Sequence, residues 1–182
     1  MGDELPPSRF AQIVAAARRL LEEQGPEALS MRNVAAEIGI RAPSLYEHVA
    51  DKRALENAIV AAGMDEQGRA MTAAMEGAAD PLTAIAQAWR TWALAHPHVY
   101  RLINARGLDR DAPEVGAAER RAGDPIRVLT GGDLASARVI WAFAHGMTML
   151  ELNARFPPGP GVDELWERGL EALRPLLGTP AD

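Results

Sequence analysis

Apolar residues recur along almost the whole chain with the three- to four-residue spacing of amphipathic helices. Alternating apolar and polar runs of strand length are missing, and the frequent Ala, Leu, Glu and Arg favour helix. Ser8 can cap a first helix, and Gly25 followed by Pro26 can end it, because glycine accepts a left-handed cap and proline cannot continue a helix. One face of this helix carries Phe10, Ile13, Val14, Ala17, Leu20 and Leu21. The pattern predicts an all-α fold.

Further helices are delimited by signals of the same kind. Ser30 can cap a second helix that is broken at Gly39, and Pro43 suits the first turn of a third helix, where its missing N–H is not needed. Asp51 can cap a long fourth helix that reaches about Met75. The other predicted helices cover residues 81–95, 97–105, 113–130, 134–155 and 163–177, with loops or breaks at 106–113, 123–125 and 157–163.

The character of the chain changes near Asp80 and Pro81. Before this point the pattern predicts a compact three-helix unit and a long connecting helix. After it the chain is more apolar and holds all four tryptophans. Internal repeats and long low-complexity tracts are absent from the sequence. We therefore expect three segments, at residues 1–55, 56–80 and 81–182.

Composition excludes several classes of protein. The chain of 182 residues has a formal net charge of −6, which does not suit a general binder of polyanions. It has no cysteine, so disulfides and thiolate metal sites are excluded, and no two of its four histidines have the i, i+4 spacing of a helical metal site. Neither a catalytic Ser-His-Asp or Cys-His set nor a Gly-rich phosphate loop is present, so we predict no enzyme, no cofactor and no metal.

The expected location is the cytoplasm of a bacterium. The chain start has no basic-then-apolar signal pattern, and no run of 18 apolar residues predicts a membrane span. Arginine and alanine are frequent and lysine is rare, which is typical of GC-rich coding.

A glycine corner between two short helices is the most informative motif. Within residues 30–48, Ala35 lies where two helices must approach closely, and Gly39 lies at the turn, where a positive φ redirects the chain. Apolar residues on both sides of the turn can fix the crossing angle: Val34, Ile38, Ile40 and Leu45. This is the helix-turn-helix arrangement, in which the second helix is presented outward, although an unrelated helical corner could show the same spacing.

Hydrogen-bonding side chains remain on the outward side of this motif. If Leu45 and Val49 point inward, Ser44, Tyr46 and His48 are left outside. Small and hydrogen-bonding residues suit the major groove of DNA, which is ~12 Å wide. Cations for phosphates or guanine edges are available at Arg32, Arg41 and Lys52. The alternative is that these residues are merely solvated. Glu47 suits that alternative best, since phosphates repel its carboxylate unless it meets a cytosine amine.

Residues 13–60 resemble the DNA-binding domain of the tetracycline-repressor (TetR) family nearly end to end. The likeness rests on an amphipathic first helix with a paired Leu-Leu, on Gly25, and on the segments LSMRNVAAEIGI and SLYEHVADKRAL. Members of this family are mostly dimeric, all-helical, ligand-responsive repressors, and the likeness implies the same for this chain. By motif position, the usual DNA contacts of the family fall on Arg32, Arg41, Ser44, Tyr46, His48 and Lys52. The Arg41-Ala42-Pro43 sequence departs from many relatives, so base preference is not carried over.

The C-terminal segment is similar to a TetR-type regulatory domain through Trp141, His145 and Gly146. Independently of this likeness, the helix at 134–155 is apolar nearly all round, and such a helix is buried on several sides. Together with the amphipathic helix at 163–177 it can form a four-helix interface with a second copy. An ordinary monomeric core is the alternative.

A ligand pocket in this segment is expected to be lined by aromatic and apolar side chains with a few polar ones. The candidates share this chemistry, although each of them could equally belong to the core. They are Trp89, Trp92, His96, Tyr100, Ile103, Trp141, His145 and Met149.

The sequence therefore predicts a homodimeric transcriptional repressor that binds a near-palindromic double-stranded DNA operator and is released by a small, largely apolar effector. Residues 1–55 would bind DNA, 56–80 would connect, and 81–182 would bind the effector and dimerise. No membrane is expected as a partner. The alternative is an all-helical small-molecule-binding protein that has lost DNA affinity, which the acidic balance keeps open.

Overall fold

The computed structural model of the chain describes residues 8–105 and 109–178, and every regular element in this part is helical. Its α-helices are α1 (Arg9–Gln24), α2 (Met31–Glu37), α3 (Ala42–Leu45), α4 (Lys52–Met75), α5 (Pro81–Ala95), α6 (Pro97–Ile103), α7 (Pro113–Leu129), α8 (Leu134–Leu152) and α9 (Val162–Leu173). Short 3₁₀ turns at Pro26–Ala28 and Arg174–Leu176 lie before α2 and after α9. The prediction of an all-α fold is confirmed. Residues 106–108 of one predicted loop lie outside the described residues.

Polar side chains cap the helices at the positions that the sequence indicates. The hydroxyls of Ser8 and Ser30 each accept a hydrogen bond at 3.2 Å from the backbone N–H three residues further on. The Asp51 carboxylate accepts one from Ala54 N at 2.8 Å, and Asp133 caps α8 in the same way. These bonds satisfy N–H groups that have no partner inside the helix. The predicted starts of α1, α2 and α4 therefore agree with the structure.

The predicted break at residues 123–125 is wrong. Helix α7 continues through Gly123 and Pro125, although proline cannot donate to the carbonyl of Arg121 four residues earlier. At this level α7 lies close to α4, since a Cβ placed on Gly68 would be 2.9 Å from Ala122 Cα. Packing against α4, which no local pattern encodes, keeps α7 helical through the proline.

Several helices end earlier than predicted. Helix α8 stops at Leu152 instead of residue 155, because Ala154 adopts a positive φ of 50° and Arg155 N donates back to Leu150 O at 2.8 Å. Helices α6 and α9 end at Ile103 and Leu173, before the predicted residues 105 and 177. Helix α3, which the sequence predicts to start at Pro43, is a single turn of four residues, and residues 46–48 after it form a turn.

The chain forms two compact units. Unit 1 comprises the described residues up to Gly63 and those of His98–Ala117, and unit 2 comprises Met64–Pro97 and the described residues from Ala118 onward. Helix α4 contributes to both units, and α6 belongs to unit 1 from His98 onward. These units cut the chain at other places than the predicted segments 1–55, 56–80 and 81–182, which remain a prediction about division of function.

In unit 1 a carboxylate on α1 holds the start of α6. The two Glu22 oxygens accept hydrogen bonds from His98 N at 3.2 Å and Val99 N at 2.8 Å. Further along, Asp109 accepts a hydrogen bond from Arg53 Nε on α4 at 3.1 Å. The segment from α6 to the start of α7 is thus bound to α1 and α4 by charge-assisted hydrogen bonds.

In unit 2, α5 packs on α8 and carries a buried hydrogen bond and a charged cluster. Trp89 Nε1 donates to Thr148 Oγ1 at 3.2 Å, and both side chains are buried. Arg90 binds Glu151 at 2.7 Å and Asp163, at the start of α9, at 2.6 Å. One arginine therefore ties three helices together.

A second ion pair in unit 2 joins the start of α5 to the residue that follows α9. Asp80 caps α5 through Thr83 N at 3.3 Å and binds Arg174 at 2.7 Å. The hydrogen bond from Arg174, followed by the one from Thr83, holds the pKa of the Asp80 carboxyl well below its usual range.

Candidate nucleic-acid interface and effector region

The turn between α2 and α3 has the geometry that the sequence predicts for a helix-turn-helix. Gly39 has a φ of +69°, and Ile40 N returns to Ala35 O at 2.9 Å to close the corner. Val34 and Leu45 are both 0% exposed, so the apolar residues on either side of the corner form its core. The expected inward placement of Leu45 is confirmed by this burial.

The side chains predicted to meet DNA lie on the outer surface of unit 1. Tyr46 is 52% exposed, and Arg32, Arg41 and His48 are exposed as well. Ser44 is half-buried beside them in α3. Their exposure leaves these side chains available to a partner outside unit 1. Their contact with DNA remains a prediction.

Lys52, the sixth predicted DNA contact, begins α4 and forms a surface ion pair with Glu56 at 3.5 Å. Exposed pairs at i, i+4 contribute only about 0.3–0.5 kcal/mol, so a phosphate can displace Glu56 at little cost. On the neighbouring surface, Arg19 binds Glu37 at 3.1 Å, which partly neutralises the carboxylate at the end of α2. Glu47 is exposed between Tyr46 and His48.

The eight predicted ligand-lining residues do not meet in one cavity of a single unit. Tyr100 and Ile103 are buried in unit 1. Trp89 lies in unit 2 beside an enclosed apolar cavity of about 10 Å³, which is too small for a ligand. Met149 is half-buried on α8. The sequence could group these residues only by their chemical type, and the structure shows that they lie in two different units.

Trp92 and His96 line an open groove of about 620 Å³ between α4 and α5 in unit 2. Their ring centroids lie 5.1 Å apart, and Trp92 Nε1 donates to Glu66 Oε2 at 3.4 Å. The rest of the groove is lined mainly by small side chains: Ala70, Ala74, Ala84, Gln87, Ala88, Thr91 and Ala95. Its volume is within the range of small-molecule sites, although it is open to solvent rather than enclosed.

Trp141 and His145 stack on each other on α8, with ring centroids 5.3 Å apart and an interplanar angle of 3°. Trp141 is 43% exposed, so it is a surface residue of this chain. Desolvation lowers the pKa of His145, which favours the neutral imidazole at pH 7. Leu134, Val139 and Leu150 are exposed on the same helix, and the structure thus presents an apolar α8 surface.

Two features of unit 2 have no counterpart in the sequence-based site. Glu66 reaches Trp92, and Gln67 is a buried amide on α4. A Glu-Gln pair within a helix does not indicate a binding site in the sequence, so the contact of Glu66 and the burial of Gln67 are evident only from the packed structure. Across the described ranges, no group of three or more His, Asp or Glu side chains could hold a metal ion, and no helix combines the length and apolarity needed to cross a membrane.

Comparison with known proteins agrees with this geometry. The family model described as "Bacterial regulatory proteins, tetR family" matches residues 13–59, and the model described as "Tetracyclin repressor-like, C-terminal domain" matches residues 82–173. The chain is 32% identical over 150 residues to an uncharacterized HTH-type transcriptional regulator of Mycobacterium tuberculosis, covering 78% of this chain and 69% of that protein.

Two further proteins show the same likeness. Tetracycline repressor protein class G of Vibrio anguillarum is 31% identical over 163 residues, covering 84% of this chain and 75% of the repressor. A solved protein with unknown function from Rhodococcus sp. RHA1 has a TM-score of 0.78 and 25% identity, covering 98% of this chain and 100% of that one. The chain thus belongs to the TetR family of bacterial regulatory proteins, and it is a helix-turn-helix transcriptional regulator rather than an enzyme.

Proposed function

We propose that this regulator is a homodimeric repressor that a small, largely apolar effector releases from a near-palindromic operator. Each subunit inserts residues 43–49 into the major groove, and the two half-sites lie about 34–36 Å apart. The observation that carries the proposal is the division at the glycine corner: Leu45 is 0% exposed while its neighbour Tyr46 is 52% exposed. Burial of the first fixes the orientation of α3 and leaves the second free for a duplex.

The six candidate DNA contacts divide into two roles. Arg41, Ser44, Tyr46 and His48 lie on or beside α3, where a groove-inserted helix meets base edges and the adjoining phosphates. Arg32 on α2 and Lys52 at the start of α4 are placed at helix ends or faces that suit the phosphate backbone. Ser44 and His48 carry side chains that can hydrogen-bond to base edges or phosphate oxygens.

The exposed apolar surface of α8 supports association with a second copy. Leu134, Val139, Trp141 and Leu150 are each at least 43% exposed, and large apolar side chains clustered on one helix indicate a protein interface. Val128, near the end of α7, is a further exposed apolar residue, with 61% of its surface accessible. A second identical copy would cover the same residues on both chains, as a two-fold interface requires.

The response to an effector is supported by the fold and by the relatives. Helix α4 is continuous from Lys52 to Met75 and contributes to both units, so a change in unit 2 can reach the DNA-reading unit along one helix. The Vibrio anguillarum relative is named a tetracycline repressor protein. A coupling of about 1–3 kcal/mol between the two sites would change operator affinity roughly 5–150-fold.

Footprinting of the protein on the DNA flanking its own gene tests this function. We expect one protected, near-palindromic site with two half-sites. Tyr46→Ala is expected to abolish protection while the protein stays dimeric in sedimentation. Because the chain is acidic, with a net charge of −6, the competing function is a binding protein without DNA affinity. Absence of any protected site, together with saturable binding of small molecules, would establish that alternative.

A further inference from the structure

One buried polar atom on α4 has no hydrogen-bond partner. Gln67 is 4% exposed, and its amide Nε2 is the only buried side-chain nitrogen or oxygen atom without a partner among the described residues. Buried amides nearly always find a partner, because an N–H left unpaired in a protein interior loses its bonds to water without replacement. Selection for stability alone would place an apolar residue here.

The other buried polar side chains of unit 2 are satisfied. Trp89 and Thr148 bond to each other at 3.2 Å, and the Thr130 hydroxyl lies 3.2 Å from Arg127 O and 3.1 Å from Asp133 O. The free donor of Gln67 is therefore a feature of one position and not of a loosely bonded interior.

Two buried methionines share the face of α4 that carries Gln67. Met64 is 5% exposed and Met71 is 0% exposed, and they precede and follow Gln67 at spacings of three and four residues on the same helix face. Methionine has three rotatable bonds and a polarisable sulfur, so it repacks readily around a ligand. The apolar cavity of about 10 Å³ beside Trp89 is too small for a ligand and is not lined by Gln67, so a ligand that reaches Gln67 requires side chains to move.

We propose that the Gln67 amide is the hydrogen-bonding group of an effector site that opens by movement of Met64 and Met71. This inference rests on the proposed effector response and specifies its chemistry. The effector is an apolar molecule with a hydrogen-bond acceptor, such as a ketone oxygen, which receives the Gln67 Nε2–H. The apolar part of the effector packs in the space that the Met64 and Met71 side chains leave when they move. The open groove between α4 and α5 is then not the primary site.

A stability measurement tests the first half of the proposal. Gln67→Met removes the unpaired donor and keeps the side-chain length, and we expect the Tm of the ligand-free protein to rise by about 2–4 °C. Gln87→Met is the matched control, because it makes the same chemical change at an exposed position of α5, and its Tm should stay within about 1 °C. A fall in the Tm of Gln67→Met means that the amide is satisfied in solution and overturns the proposal.

Binding of two matched probes to the unaltered protein tests the second half. Acetophenone and ethylbenzene have similar size, but only the ketone has an acceptor oxygen. All four tryptophans lie in unit 2, so their fluorescence reports binding there. We expect acetophenone to bind about 3- to 10-fold more tightly than ethylbenzene, and Gln67→Met to abolish this preference. Equal binding of the two probes, or a preference that is lost in Gln87→Met instead, overturns the assignment to Gln67.

A separate measurement of operator binding in the presence of each probe tests the proposed effector response. If acetophenone binds through Gln67 and the protein stays on its operator, the site is real and the effector response fails. If other apolar molecules release the operator while the ketone preference is absent, the response is real and the Gln67 site fails.

Discussion

Arg41→Ala is expected to weaken operator binding and to change its dependence on salt. Arg41 is exposed immediately before α3, and it forms no ion pair with any residue that the structure describes. Its guanidinium can therefore reach DNA without first breaking an ion pair. If Arg41 binds a phosphate, formation of the protein–DNA complex releases counterions from the DNA. The steepness with which operator affinity falls with salt concentration then reports the number of phosphate contacts.

The size of the effect follows from one contact in each of two subunits. Each phosphate contact contributes about 0.9 to the slope of log K against log salt concentration, so the loss of two contacts should reduce the slope by about 1.8. If Arg41 instead binds a guanine edge, the slope changes little. Affinity for the operator then falls by about 1–3 kcal/mol per half-site, and discrimination against a mutated half-site is lost.

Fluorescence anisotropy with labelled operator at several salt concentrations measures both quantities. Arg120→Ala is the matched control, because it removes one positive charge from an exposed position of α7 and leaves the helix-turn-helix unchanged. We expect the control to keep the affinity and the slope of the unaltered protein. If Arg41→Ala keeps both the slope and the operator preference, the assignment of Arg41 to DNA is refuted.

Three other substitutions probe stability and assembly. Leu45→Ala is expected to lower the free energy of unfolding by about 2–5 kcal/mol, since Leu45 is 0% exposed; denaturant titration measures this, and a loss below about 1 kcal/mol would contradict its role in the corner. Arg174 lowers the pKa of Asp80, so the ionised carboxylate stabilises the folded protein above its unfolded pKa of about 4, and this stabilisation is lost on acidification. The difference in Tm between the unaltered protein and Asp80→Asn should therefore become smaller below about pH 4. A difference that grows on acidification would contradict the ion pair as the source of the stability. Val139→Asp places a charge on the exposed apolar surface of α8, and we expect the variant to sediment as a monomer. The control Ala73→Asp places the same charge at an exposed position of α4 and should remain a dimer. If Val139→Asp remains a dimer, the interface lies elsewhere.

Much of the helical framework can be predicted from the sequence, because helix starts depend on local chemistry. Ser8, Ser30 and Asp51 cap N–H groups only three residues away, and such bonds form wherever the chain is helical. The glycine corner is similarly local: Gly39 adopts a positive φ that few other residues tolerate. Family membership was predicted from the resemblance of residues 13–60 to the TetR family, and the matches at residues 13–59 and 82–173 confirm it.

Helix continuity at a proline could not be predicted in the same way. Pro125 removes one hydrogen bond from α7, and a local rule places a break there. The close approach of Gly68 and Ala122, which are far apart in the chain, decides otherwise. The stabilising contact comes from another helix, so no window of sequence around residue 125 contains it.

The candidate DNA surface and the candidate ligand site differ in how far sequence reasoning reaches. Arg41, Tyr46 and His48 are exposed, as predicted once Leu45 points inward, although Tyr46 and His48 lie in a turn after α3 and not in a helix. The ligand candidates were grouped only by type, as aromatic and apolar side chains with a few polar ones in the C-terminal segment. The structure places Tyr100 in unit 1 and leaves Trp141 43% exposed.

The sequence by itself determined where helices begin, which face of each is apolar, and that a glycine corner presents α3 outward. Each of these depends on neighbours within about one or two turns of helix. The tertiary structure alone decided that α6 belongs to unit 1 through Glu22, and that Gln67 is buried without a partner. The physical reason is that burial and hydrogen bonding of a side chain depend on helices distant in sequence, whose arrangement is a property of the whole packed chain.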